Sequence, residues 1–220
     1  GTTHISAADH ADSPESPAGP ETHPGTRGND PTTAFIPAAM VLVVVLAGAQ
    51  VGIEASIVSW SPTYWVWNQP GLLSEEIAAA MVAIAISVGR FIASRLVPES
   101  RKTLLYLLSA AAIAVSSLGL IISSGPVSTG LFLILLGLAM SDMFPILASK
   151  AAEVSGPHAD KVYVAISIVA GIGGMTIPTL VGVLSETNRH LGFPLVALGG
   201  AGLCALGMIV LNRLAQGKAA

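Results

Sequence analysis

The chain has 220 residues, of which 52% are hydrophobic and only 10% charged. An ordinary soluble domain carries about 25% charged residues, so this sequence lacks the side chains to cover a water-facing surface. The net charge of −3 is unevenly placed: residues 1–32 hold Asp9, Asp12, Glu15, Glu21 and Asp30 against Arg27 alone. The remainder is slightly basic, with no patch that would serve nucleic acid. Cys204, the one cysteine, lies in an apolar run, which excludes an intrachain disulfide and a thiolate metal site.

The chain opens with "GTTHISAADHADSPESPAGPETHPGTRGNDPTT". This composition buries too little to fold and lacks the apolar centre of a signal peptide. Residues 1–33 are expected to be a disordered cytoplasmic tail or an interdomain linker, and His4, His10 and His23 within them to be solvated rather than metal-bound.

Six apolar segments follow, at Ala34–Tyr64, Glu76–Leu96, Thr103–Ser123, Thr129–Ala151, Val162–Leu184 and Leu191–Leu211. Each reaches the length of about 20 residues that a membrane helix needs. Polar or Pro/Gly-bearing connections separate them, and Ser74 is a plausible N-cap for the second, with Glu75 and Glu76 at the positive end of its dipole. With the tail in the cytoplasm, Arg27, Arg90, Arg95, Arg101, Lys102, Lys150, Lys161, Arg213 and Lys218 all fall on the inside and Arg189 alone outside. That asymmetry predicts six spans in the cell membrane, residues 34–213, with both termini cytoplasmic and residues 214–220 as a second tail. The lipid bilayer is thus the first expected partner. The fifth segment carries Gly171, Gly174, Pro178 and Gly182 and the last has Gly199, Gly200 and Gly202, smooth faces that let helices approach closely.

Three ionisable groups lie within apolar segments: Glu54, Arg90 and Asp142. Each costs about 2.5–3.5 kcal/mol at the bilayer centre, so each needs a reason. Glu54 sits in "VLVVVLAGAQVGIEASIVSWSPTYW", toward the outer half of the first segment, with Gln50 and Ser61 on nearly the same helical face. The helix is expected to bend or end near Pro62. Trp65 and Trp67 suit an interfacial belt, whereas Trp60 and Tyr64 suit either a belt or a ligand cavity. Asp142 precedes Pro145 by three residues in "GLAMSDMFPILASK", and the proline leaves a backbone carbonyl without its helical donor. Asp142 therefore fits an ion or substrate site, or a buried ion pair with Arg90, which needs a carboxylate or carbonyl partner.

Taken together, "GR" at Gly89 and Arg90 followed by Arg95 and further basic residues, "FP" in the fourth segment, and "GIGGMTIPTLVG" in the fifth resemble the C-terminal half of a major facilitator superfamily transporter. The run "GIEASIVSW" followed by "TYW" is similar to the seventh helix of the fucose-permease-like sugar branch. The resemblance implies an all-α membrane fold, six transmembrane helices arranged as two inverted three-helix repeats, half of a twelve-helix molecule. It also implies a second six-helix half as partner, the first and fourth helices lining a central cavity, and Gly89, Arg90, Arg95, Pro145, Gly171, Gly174 and Pro178 in conformational or structural roles. The loop departs from the superfamily signature at Ser94, where an acidic–basic core is absent.

The function this implies is secondary, proton-coupled transport of a small polar solute, a sugar in the branch named, by alternating access. Glu54, Gln50, Trp60, Tyr64 and Asp142 are the candidates for binding solute or a proton. The alternative is a membrane scaffold or truncated relic that does not transport. The segments hold no His–Glu-x-x-His or Gly-x-Ser-x-Gly motif, so no enzyme, cofactor or metal is expected.

Overall fold

Backbone groups in an apolar stretch have no water to bond, so the segments satisfy them internally as helices. The computed structural model describes residues 36–216 apart from residues 70, 72–73 and 97–98. Among the described residues there are α-helices and two short 3-10 turns, and no strand. The helices are α1 (Ile36–Asn68), α2 (Glu75–Leu96), α3 (Lys102–Ile122), α4 (Pro126–Met140), α5 (Met143–Ser155), α6 (Ala159–Thr187) and α7 (Gly192–Gln216). The expected N-terminal tail and Lys218 lie outside the described residues. At the other end α7 continues through Gln216, past the expected boundary at 213.

Five stretches are long and apolar enough to cross a membrane: Ala38–Asn68, Glu75–Arg95, Lys102–Ile122, Pro126–Thr187 and Gly192–Ala215. Their outward faces are apolar as well, with Ile84, Phe91, Ile122, Val127 and Met175 all well exposed. Contiguous exposed hydrophobic surface of that kind belongs against lipid or another protein rather than water, and the chain fits a multi-pass membrane protein.

The 33-residue α1 is apolar all round and is the central element. It packs most extensively on α6, then on α7, α2 and α5, while α3 packs on α7 and α4, and α2 packs on α4. Glycine sets the closeness of the main crossing. Gly48 and Gly173 face one another so tightly that a Cβ on Gly173 would collide with the Gly48 carbonyl, and Gly52 meets the Gly173 carbonyl and Ile177. Gly171 touches nothing within 4 Å, and Gly174 meets Val51 alone, at 3.8 Å. Of the glycines in the fifth segment, Gly173 seats α6 most tightly on α1 and a Cβ on Gly182 would meet the Trp60 ring at 3.2 Å, whereas Gly171 and Gly174 have no close contact. On α7 the contacts come from Gly200 against Ile53 and Gly207 against Leu46, while Gly199 and Gly202 face open space.

Two further expectations are corrected. Helix α1 runs through Pro62 to Asn68 instead of ending near Tyr64. The expected fourth segment is two helices, interrupted at Ser141 and Asp142. A second interruption follows α5, where Gly156 adopts φ +49 in a tight 3-10 turn, a left-handed backbone that favours glycine.

Candidate functional site

The polar residues of the bundle meet at the interruption between α4 and α5. Pro145 has no N–H to give to the carbonyl four residues earlier, which is Ser141. That carbonyl accepts instead from Arg90 Nε on α2, at 3.3 Å. Gly89 makes the approach possible, because its missing side chain leaves room for the Ser141 side chain and the Leu138 carbonyl. The adjacent "GR" thus divides its work: the glycine lets α2 close on α4, and the arginine bonds the carbonyl that the proline released.

Arg90 also donates from Nη2 to Glu54 Oε1 on α1, forming an ion pair. Helix geometry explains why these residues find each other. Glu54 lies 14 residues before the end of α1 and Arg90 15 residues after the start of α2. At 1.5 Å per residue, both sit about 21–23 Å from the Asn68–Glu75 end of the bundle. Ser141, 15 residues into the α4 direction from Pro126, lies at the same level. The pair is on an open side: the Arg90 side chain is 51% exposed and that of Glu54 20%.

Asp142 is 5% exposed, and Ser109 Oγ on α3 donates to its Oδ1 at 2.9 Å. The expected Asp142–Arg90 pair is not formed; Glu54 takes the guanidinium, and a serine hydroxyl satisfies the aspartate. Arg95 stands apart from this group, over the Phe91 ring one turn earlier on its own helix at 5.3 Å.

The expected polar stripe on α1 divides. Gln50 and Ser61 are enclosed, while Glu54 lies at the margin of the buried face. A four-residue step leaves about 40° between side chains, enough to turn Gln50 inward and Glu54 outward. Tyr106 donates to Gln50 Oε1 at 2.9 Å, and Gln50 Nε2 has no partner. Gln50 thus belongs to the core with Tyr106 and the neighbouring Cys204, not to an accessible site.

The aromatic residues separate in the same way. Tyr64 is buried against Phe193, and its hydroxyl donates to the Leu120 carbonyl at 2.9 Å, so it braces α1 against α3 and α7 rather than facing a ligand. Trp65 is buried too, near Gly130 and Met81, which removes it from an interfacial belt. Trp60 is half-buried. Its indole N–H donates to the Pro178 carbonyl at 2.9 Å, and with Ser59, Thr63 and Thr179 it lines an open groove between α1 and α6. Trp67 lies beside Trp60 and under the Arg189 guanidinium.

Among the residues expected for the site, Glu54 and Arg90 come together with Pro145 acting through Ser141. Asp142 adjoins them, Trp60 lies on a separate groove, and Gln50 and Tyr64 are interior. Sequence reasoning missed Ser141, although its place four residues before Pro145 marked it as the orphaned acceptor. It also missed Ser109, for which a lone hydroxyl in an apolar run was the whole signal. Among the described residues no group of three or more His, Cys, Asp or Glu could hold a metal ion. Comparison of the chain with family models, curated proteins and solved structures gives no match.

Proposed function

We propose that the chain is the C-terminal six-helix half of a secondary transporter of the major facilitator kind, moving a small polar solute by alternating access with proton coupling. The observation that carries this reading is the Glu54–Arg90 ion pair, partly exposed about 21–23 Å from the Asn68–Glu75 end of a mostly apolar bundle. Charges at that depth are costly against hydrocarbon, and a cavity shared with a second six-helix half would give them water and polar neighbours. In that cavity Glu54 binds solute hydroxyls or exchanges a proton, and Arg90 supplies the counter-charge when the site is empty.

Two further features support the architecture. The 62-residue stretch Pro126–Thr187 is long enough for two crossings of about 20 residues each, which supports a count of six. Moreover, α1 packs on α6 and α7 while α4 packs on α2 and α3, the pairing that two inverted three-helix units would produce. Trp60 with the hydroxyls of Ser59, Thr63 and Thr179 gives the α1–α6 groove a stacking ring and hydrogen-bonding groups suited to a sugar.

The test is solute uptake into proteoliposomes that contain this chain together with its complementary half. Glu54→Gln is expected to abolish the response to an imposed proton gradient, and Arg90→Gln to impair uptake at every pH. Wild-type uptake with an unaltered pH profile in Glu54→Gln would remove the carboxylate from the mechanism. Should the chain remain monomeric and inactive with every candidate half, the scaffold reading takes its place.

A further inference from the structure

The groove between α1 and α6 has a volume of about 380 Å³ and is lined by Ser59, Trp60, Thr63, Pro178 and Thr179. Every polar hydrogen on these side chains is already used. Ser59 donates to the Ala55 carbonyl at 2.7 Å and Thr179 to the Met175 carbonyl at 2.8 Å, each one turn back on its own helix. Thr63 donates to Glu75 Oε1 at 3.1 Å, and the Trp60 indole N–H to the Pro178 carbonyl at 2.9 Å. A hydroxyl has one hydrogen and two lone pairs, so the three hydroxyls are left as acceptors only. Pro178 adds a further acceptor beside them: lacking an N–H, it leaves the Gly174 carbonyl one turn earlier without its helical donor.

A wall of acceptors without a donor selects by what it cannot satisfy. A carboxylate or phosphate brings only lone pairs and finds no partner. A neutral sugar hydroxyl can donate to these oxygens, but its own lone pairs go unbonded. An ammonium carries three donors and no acceptor, so each of its hydrogen-bonding groups is matched. Two further observations point the same way. The rest of the lining is the Trp60 ring, and tryptophan is the best aromatic partner for a cation. Its neighbour Trp67, with ring centroids 6.0 Å apart, already carries the Arg189 guanidinium at 5.5 Å. The end of the bundle next to the groove is also acidic: Glu75, whose carboxylate Thr63 bonds, together with Glu76 and Glu186 outnumbers Arg189, a field that draws in cations.

We propose that the α1–α6 groove binds an ammonium-bearing polar solute, an amino sugar in preference to a neutral or acidic one, with the amine against the Trp60 ring and the oxygens of Ser59 and Thr179. That such a solute is also carried across the membrane rests on the transport reading; that it binds rests on the groove alone.

Saturation-transfer NMR of the full chain in lipid nanodiscs, below neutral pH so that the amine is protonated, tests it with glucosamine, glucose and glucuronate as probes. Glucosamine is expected to bind about tenfold more tightly than glucose, the difference between a charge-assisted hydrogen bond and a neutral one, and glucuronate not at all. Trp60→Leu should weaken glucosamine about tenfold, and Trp60→Tyr, which keeps an aromatic face, by much less. Thr179→Val, at an exposed position, removes one acceptor outside the packed core and should weaken glucosamine about fivefold. Equal affinity for glucosamine and glucose, binding of glucuronate, or wild-type glucosamine affinity in both Trp60→Leu and Thr179→Val would overturn the proposal. Displacement of glucosamine by an equal concentration of sodium would also overturn it, by assigning the oxygens to a bare metal ion. Glucosamine bound by a chain that takes up nothing with any half keeps this proposal and removes the transport reading; uptake of a neutral solute with no glucosamine bound does the reverse.

Discussion

Two of the helix crossings that glycine closes in this bundle differ in what lies beside the glycine. Where α1 meets α6, Gly48 faces Gly173 and the surroundings are apolar, so the backbones touch with no polar side chain between them. Where α2 meets α4, Gly89 faces Ser141, and the contact continues into the Arg90 guanidinium, the released Ser141 carbonyl and Glu54. The first is held by close packing, which has one good arrangement, with the Trp60–Pro178 hydrogen bond further along the same crossing. The second is held by hydrogen bonds and an ion pair whose side chains are partly exposed.

The largest expected effect breaks the first crossing. Gly173→Leu should destabilise the isolated chain by about 3 kcal/mol, the upper end for overpacking a closed contact, measured by reversible denaturation in mixed micelles. The polar crossing should respond more mildly. Arg90→Leu is expected to cost about 1 kcal/mol, since the pair is half exposed and discounted accordingly. A double-mutant cycle with Glu54→Leu should then show the two changes to be less than additive, and strict additivity would mean that the ion pair is not formed in solution.

Smaller still is Pro145→Ala, which returns an N–H to the position opposite the Ser141 carbonyl. It should shift stability by less than about 1 kcal/mol while giving residue 145 a protected amide in hydrogen exchange and displacing Arg90 from its acceptor. An unprotected amide there would show that the interruption is imposed by Asp142 and Ser141 rather than by the proline. At the bottom of the scale, Gly171→Ala touches nothing within 4 Å and should stabilise α6 by about 0.5–1 kcal/mol through helix propensity. The contrast between positions 171 and 173 is the sharpest single check on which face of α6 is seated.

Much of this could be read before the fold was known, for reasons that are local. Apolar length and the punctuation between segments gave the helices, and Pro145 announced an unbonded carbonyl because the missing N–H is a property of one residue. The demand of Arg90 for a carboxylate or carbonyl was likewise legible, and it obtained one of each. What the sequence could not choose was the partner. Glu54 and Asp142 were both acidic groups within apolar helices, and the choice between them depends on the level at which α1 and α2 cross. With the first segment ending at Tyr64, Glu54 lies ten residues from that end; the helix continues to Asn68, which puts Glu54 14 residues from the end and level with Arg90. Gly171, Gly173 and Gly174 differ by a fraction of a turn, and only the position of α1 distinguishes them. Tyr64 and Trp65 carried the composition of an interface but the geometry of a core, a distinction made by helices that the pattern along α1 does not contain.

Cys204 adds a property of its own. The chain's sole sulfhydryl is wholly enclosed on α7, beside Tyr106 of α3. A maleimide therefore has nothing to react with in the intact bundle, and the rate at which it consumes the thiol reports how often that part of the protein comes apart. The molecule carries its own stopwatch for opening, set beside Tyr106 in the interior of the bundle.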